Sequence, residues 1–436
     1  MFVVMASAAP SAGGVVARRR LTQAETDAIC ARHERLFANR LGGARAVFSW
    51  CDLSGLSLRG RALADADFTG AVLAGADLTG AKLDNANLYG ADLQGAVARG
   101  TSLRRADLRG SCLRGADLTG ADLFEADLRE GMVATYDKAQ GYLVVDTQAR
   151  VSQAQGVNLS GANLERSRLS GVVAVRADFS DAVLKDAKLV RANLRQANFN
   201  SADLAGADLS GANLTGADLR DAVLVGAKTM SWTVADCDMA GALTDKAAGE
   251  PVESLPYADM LRAHALWCET GGRQGAPSSF DRADLRALKS IRGMNLTALS
   301  AKGAVFYGLD MDGAQLQGAQ LEGADFRGAS LRRADLRGAR LARAKLSGVD
   351  LREARLGPLL IAADRLLPAD LTQAVLKGAD LSGADLRRAK LVEADLSRAN
   401  LSGAALKQAE LTGALLTGAR GLQEALLASA ATAAAA

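Results

Sequence analysis

Residues 76–95 read ADLTG-AKLDN-ANLYG-ADLQG, four five-residue phrases with alanine first and leucine third in each. A period of five matches neither the 3.6 of a helix nor the 2 of a flat strand, so the chain must turn a corner at every phrase. The phenylalanines on this lattice set the size of the coil. Phe48 and Phe68, Phe179 and Phe199, and Phe306 and Phe326 are each twenty residues apart, so four phrases close one turn of a solenoid and stack like on like. These six form the expected core ladder.

Working outward, and calling the central apolar residue i, the lattice falls into three runs. The first goes from Phe48 through Leu53, Leu58 and Leu63 to Val133, departing from Leu or Phe only at Ala98 and Val133. The second, one residue out of phase, goes from Leu159 to Leu224 and decays through Thr229, Val234 and Met239. The third begins with Phe280 and Leu285, slips by one residue, and continues from Ile291 to Leu416. Position i−2 is small, as at Ala76, Ala116, Ala207 and Ala384, because i and i−2 both point inward where a larger group would force the column apart. Cys51 and Cys237 share that slot and read as small buried thiols. Asp or Asn at i−1 suits a side chain that bonds turn amides, and Gly at i+2, as in Gly75 and Gly80, suits a positive φ.

The A-[DN]-L-x-x phrase resembles the repeat of the pentapeptide-repeat proteins, over residues 44–133, 157–243 and 278–420. That resemblance implies an all-β solenoid, a right-handed quadrilateral β-helix with four pentapeptides per coil. Adjacent coils would then stand about 4.8 Å apart. It also implies that one activity of the family, protection of DNA gyrase by mimicry of duplex DNA, is an alternative here. The members that do so resemble acidic dimers joined by C-terminal helices.

Open solenoid ends expose core and unpaired backbone and require covers. The segment Leu21-Thr22-Gln23-Ala24-Glu25 reads as a capping box, followed by a helical face of Ile29, His33, Leu36 and Phe37 up to Gly42-Gly43. A similar element precedes the third run, with Met260, Leu261, His264 and Trp267 on one face and Gly271-Gly272 at its end. The expected organisation is therefore a disordered leader (1–20), a capping helix (21–43), a first solenoid (44–243), a linker with a second capping helix (244–277), a second solenoid (278–420), and a C-terminal helix with an alanine-rich tail (421–436). Two places break the lattice. Residues from Ala134 to about Gln155 leave the first solenoid, where Tyr142-Leu143-Val144-Val145 with Ala149-Arg150-Val151 predicts a small hairpin or one irregular coil. Gly357 to Pro368 keeps the five-residue count but predicts a bulge around Pro358 and Pro368.

Composition bounds the function. Aromatics make up only 4% of the 436 residues, which suits a thin column, and 52 Lys and Arg against 49 Asp and Glu leave a net charge of +3. That sum implies neither nucleic acid nor membrane, and no apolar run reaches the length of a membrane span. Five cysteines without a CxxC or a His at ligand spacing indicate no metal and fit a reduced cytoplasm. The only histidines, His33 and His264, lie on apolar helix faces and read as structural. No phosphate-loop, nucleophile-elbow or zinc-protease motif occurs, so no catalytic residue, cofactor or metal is expected.

The sharpest charge feature is Arg327, Arg332, Arg337, Arg340 and Arg343, with Arg333 among them, in a run with a net of about +6. Twenty-residue stacking sets Asp325 against Lys345, Asp335 against Arg355 and Arg333 against Glu353, so much of this charge neutralises itself. The first two runs net about −2 and −1, and mimicry of DNA needs one-signed faces. The reading is a non-catalytic scaffold for an unidentified protein partner, with nucleic acid not expected. Candidate contacts are those five arginines together with Tyr142 and Val144 in the first break. A further alternative is self-assembly, including a homodimer through the Leu422 to Leu427 helix.

Overall fold

The chain is described as a computed structural model covering residues 18–137, 142–423 and 425, with only the backbone described for 132–137 and 142–150. Backbone accounting explains why each phrase takes its form, since buried peptide groups must all find partners. In residues 77–81, Asp77 N–H donates to Leu56 O at 3.0 Å on the preceding coil, and Leu78 and Gly80 donate to Val97 O and Arg99 O at 2.7 and 2.9 Å on the next. Ala81 N–H closes the corner on Leu78 O at 2.9 Å. The fifth donor, Thr79 N–H, is taken by the Asp77 carboxylate at 2.9 Å. Aspartate or asparagine at i−1 is therefore part of the backbone ladder. Gly80 sits at φ 65°, the left-handed conformation that the corner requires.

Parallel bridges join residues twenty apart, as Asp77 to Val97 and Asp325 to Lys345, and this register makes the chain a β-helical solenoid. The interior is the i and i−2 column: Leu78, Ala81 and Leu83 are at most 1% exposed. The rings of Phe48 and Phe68, Phe179 and Phe199, and Phe306 and Phe326 stack with centroids 4.8, 4.8 and 4.6 Å apart. The chain divides into two units, Met1–Asp245 and Lys246–Ala436.

In the first unit, β1 (Arg19–Arg20) pairs in parallel with β2 (Cys51–Asp52), so Arg19 and Arg20, read from sequence as part of a leader, join the ladder. Residues 1–17 lie outside the described residues. Helix α1 (Gln23–Phe37) opens on a Thr22/Glu25 capping box. Its buried face is Thr26, Cys30 and His33, with Ile29 packed against the core, whereas Leu36 and Phe37 are 42% and 54% exposed, so the expected face is corrected at those two residues. The i+4 step from Thr26 to Cys30 and the i+3 step on to His33 hold that stripe against the first coil, whereas Leu36 and Phe37 in the last turn stay at the surface. Gln23 serves the edge directly: its amide accepts from Ser57 N–H at 2.9 Å and donates to Ser57 O at 2.8 Å.

The first break is a hairpin, β3 (Gly131–Asp137) antiparallel to β4 (Tyr142–Arg150). Its strands differ from the expected ones, because Ala149 and Arg150 continue β4 and do not face it. Val133 also leaves the ladder. It pairs with Asp146 in the hairpin, and Ala154, 2% exposed, takes the core position after Leu128. The bridge from Asp127 reaches Arg168, 41 residues on, so the excursion adds 21 residues to a twenty-residue coil without disturbing its register.

In the second unit, β5 (Glu250–Pro251) pairs with β6 (Ala283–Asp284), and helix α2 (Tyr257–Glu269) precedes the ladder. The one-residue slip is a 3-10 turn at Arg286–Leu288, and the Ser279 to Ser300 bridge accordingly spans 21 residues. The second break is not a bulge. It is a hairpin of β7 (Leu359–Ala362) and β8 (Arg365–Leu367), and the Arg340 to Asp370 bridge shows that it adds ten residues. Two whole phrases are thus diverted outward, which is why the five-residue count survived. Of the expected C-terminal helix, only Leu422, Gln423 and Ala425 are helical among the described residues; the rest lies outside them. No described helix is long and apolar enough to cross a membrane.

Candidate functional site

Residues i−1 and i+1 flank an inward leucine, so their side chains emerge on the same wall side by side. Where the phrase reads D-L-R or D-F-R, the guanidinium folds back onto its own aspartate. Arg337 Nε and Nη2 donate to the Asp335 carboxylate at 2.8 and 2.7 Å, and Arg109 grips Asp107 in the same way at 2.9 and 2.6 Å. Arg327 does so on Asp325 and is only 6% exposed, so the first arginine of the predicted basic patch is withdrawn from the surface. Burial works to raise the Asp335 carboxyl, but the hydrogen bonds from Arg337 and its amide hold it below its ordinary value.

The remaining patch residues are dispersed. Arg332 reaches Asp350 at 4.0 Å, Arg340 reaches Glu322 at 3.9 Å, and Arg343 donates to Gln373 at 3.1 Å. Of the vertical pairs expected from sequence, Arg333 meets Glu353 at 2.7 Å and Arg355 meets Asp335 at 3.3 Å. Asp325 and Lys345 are bridged across adjacent coils as expected, and Arg327 also grips the Asp325 carboxylate. Tyr142 and Val144 lie on β4, in register with Asp137 and Thr135. The second hairpin carries exposed apolar residues that sequence reading did not select: Leu360, Ile361 and Leu366 are 62%, 45% and 41% exposed.

A feature that no motif marked is a corner groove of about 680 Å³ in the first unit. Its cations are Arg105, Arg109, Arg166, Arg168 and Lys188; its acids are Asp107, Glu125, Asp127 and Asp186. Rings brace the guanidinium groups. Arg109 lies 5.3 Å from the Tyr89 ring centroid, while Phe124 has Arg104 at 4.5 Å and Arg166 at 5.6 Å. Arg166 pairs with Glu125 at 2.8 Å. Burial pushes the Asp127 carboxyl upward, yet the bonds from Arg129 and the nearby Arg109 charge hold it low. The only sequence signal for this juxtaposition was the 21-residue length of the insertion, without which Asp127 and Arg168 do not align.

His33 and His264 occupy equivalent places and are wholly buried. Each accepts at Nδ1 from the backbone N–H two residues before the first lattice phenylalanine, Ala46 or Ser278, at 3.0 Å. Burial holds both imidazoles below the ordinary pKa, with the carbonyls of Ala64 and Thr297 partly opposing it. Burial also pushes the Cys30 thiol up to about 11, far from a reactive thiolate. Among the described residues no three His, Cys, Asp or Glu side chains converge as a metal site.

Fold and walls together define a repeat solenoid that presents flat, mixed-charge faces. The family description "Pentapeptide repeats" matches residues 63–97, 86–123, 101–130, 157–196, 177–216, 197–228, 292–328, 319–357, 369–403 and 394–420. The chain belongs to the pentapeptide-repeat family. It is similar to the solved structure of HetL, a pentapeptide repeat protein involved in heterocyst differentiation regulation from the cyanobacterium Nostoc sp. Strain PCC 7120. That similarity is 25% identity over 90% of this chain and 95% of that one, with a TM-score of 0.18. It is also similar to QnrB1, a plasmid-mediated fluoroquinolone resistance protein, at 21% identity over 46% and 92%, TM-score 0.21. A third, Rfr23 from the cyanobacterium Cyanothece 51142, is 22% identical over 30% and 91%, TM-score 0.14. No curated protein matches the chain.

Proposed function

We propose that this protein is a non-catalytic scaffold for protein–protein contact, built on right-handed quadrilateral β-helices with α1 and α2 as caps and working in a reduced cytoplasm. The observation that carries this reading is the pair of hairpins. Each leaves the wall and returns with the ladder intact, 21 residues in one unit and ten in the other. A rigid column that diverts whole phrases outward without losing register presents those phrases for contact. The apolar Leu360, Ile361 and Leu366 tip fits a protein surface, and fits nucleic acid poorly. Mimicry of duplex DNA toward gyrase is the weaker reading, since each D-x-R pair neutralises charge within a single wall. Self-association through the Leu422 to Leu427 segment is a separate property that light scattering reads directly.

Affinity capture from the native host tests the scaffold reading. The intact chain is compared with one lacking residues 131–151 and one lacking the second hairpin. Loss of specific partners from either folded variant supports the reading, and retention of every partner by both overturns it.

A further inference from the structure

We propose that the corner groove of the first unit is a recognition site for an acidic protein segment. The proposal rests on the scaffold reading and names the partner chemistry of one wall. Along that wall the ladder runs Asp107, Asp127, Arg168, Lys188. The two acids are each followed at i+1 by an arginine that grips them, Arg109 and Arg129. The two bases are not served in this way: the residues after their leucines are Ser170 and Val190. Among the described residues the acid that Arg168 pairs with is Asp127, at 3.8 Å, already held by Arg129 at 2.7 Å. Lys188 has no acidic side chain within ion-pair distance among the described residues, and Arg105 donates to the neutral Asn85 at 2.9 Å.

Like charges bridged directly across adjacent coils cost stability. Here Arg168 and Lys188 are bridged to each other, while Asp107 and Asp127 on the same wall each carry a local counter-charge. The groove therefore holds three cations without full partners, beside guanidinium groups already braced by Tyr89 and Phe124. Preorganised cations of this kind bind carboxylates without a large ordering cost. The ladder turns acidic again at Asp127 on one side and Asp208 on the other. Duplex DNA needs a long, one-signed track and is repelled at both ends. A short segment with carboxylates on one side fits between them, and the exposed Asp186 offers an acceptor to its backbone amides.

The probe is a fluorescein-labelled peptide of alternating glutamate and serine, titrated by anisotropy against the full chain. A glutamine-serine peptide and a labelled DNA duplex serve as comparisons. The variants are Arg168→Glu with Lys188→Glu, the milder Arg168→Gln with Lys188→Gln, and Lys82→Gln as a control elsewhere on the unit, each checked for fold by circular dichroism. The expected result is binding of the acidic peptide alone, weakened at least about tenfold by either double variant, unchanged by Lys82→Gln, and weakened by salt. No binding by the intact chain, equal binding by the folded glutamine variant, or tighter binding of DNA than of peptide overturns the proposal. Failure here with host partners still lost from the hairpin variants removes only the groove assignment and leaves the scaffold reading standing.

Discussion

Phe179 stands directly over Phe199, one coil apart, with ring centroids 4.8 Å apart and planes 2° from parallel. Both rings are fully buried, so truncating one leaves a void that neighbouring leucines, pinned by their own coils, cannot close. Phe199→Ala is expected to cost about 3–5 kcal/mol, read as a lower urea midpoint. An unchanged midpoint would mean that the interior is not close-packed.

The corners make a second demand, on backbone rather than packing. A Cβ added at Gly75 meets no atom within 4 Å, yet its φ is 65°. Gly75→Val should therefore destabilise by about 1–2 kcal/mol through conformation alone. Thermal unfolding measures this, and a neutral result would show that the corner relaxes.

The column was legible from residue type and spacing because one inward leucine per five residues admits few other shapes. The breaks were not. Val133 continues the five-residue count and is apolar, so nothing local distinguishes it from Ala154, which takes the core place; the decision lies in a hairpin pairing over many residues. The charged walls were half legible. Sequence arithmetic placed Arg333 on Glu353 but overlooked that Asp325 and Arg327, two apart around a buried phenylalanine, must emerge together.

That local pairing yields a contrast between two acids. Asp325 and Arg327 are buried, so Asp325→Asn removes the carboxylate that the Arg327 guanidinium grips and should cost about 3–5 kcal/mol. Glu353→Gln, at an exposed pair, should leave the melting temperature unchanged within measurement scatter. Equal losses would contradict the burial contrast.

His33 and His264 set a pH dependence. Burial lowers both folded pKa values below the ordinary 6.5, so their contribution is fully present above that pH and is lost as pH falls through the lowered values. Around His33 the charges of Asp65 and Glu34 favour protonation and that of Arg45 opposes it, so burial decides the sign. Urea midpoints should fall on acidification below pH 6.5, before the carboxylates titrate. The slope should flatten in a variant carrying His33→Gln and His264→Gln, and an unaltered slope would refute the assignment.

In each unit the solenoid ladder runs uninterrupted beneath its hairpin, from Asp127 to Arg168 in the first and from Arg340 to Asp370 in the second. Deleting residues 131–151 joins Glu130 to Ser152 and restores the twenty-residue step, with Ala154 following Leu128 in the core. Thermal unfolding of that variant is predicted to stay within about 3 °C of the intact chain, since only an outward excursion is removed. Loss of cooperative unfolding, or of the β-sheet signal, would show that the ladder does not continue from Asp127 to Arg168.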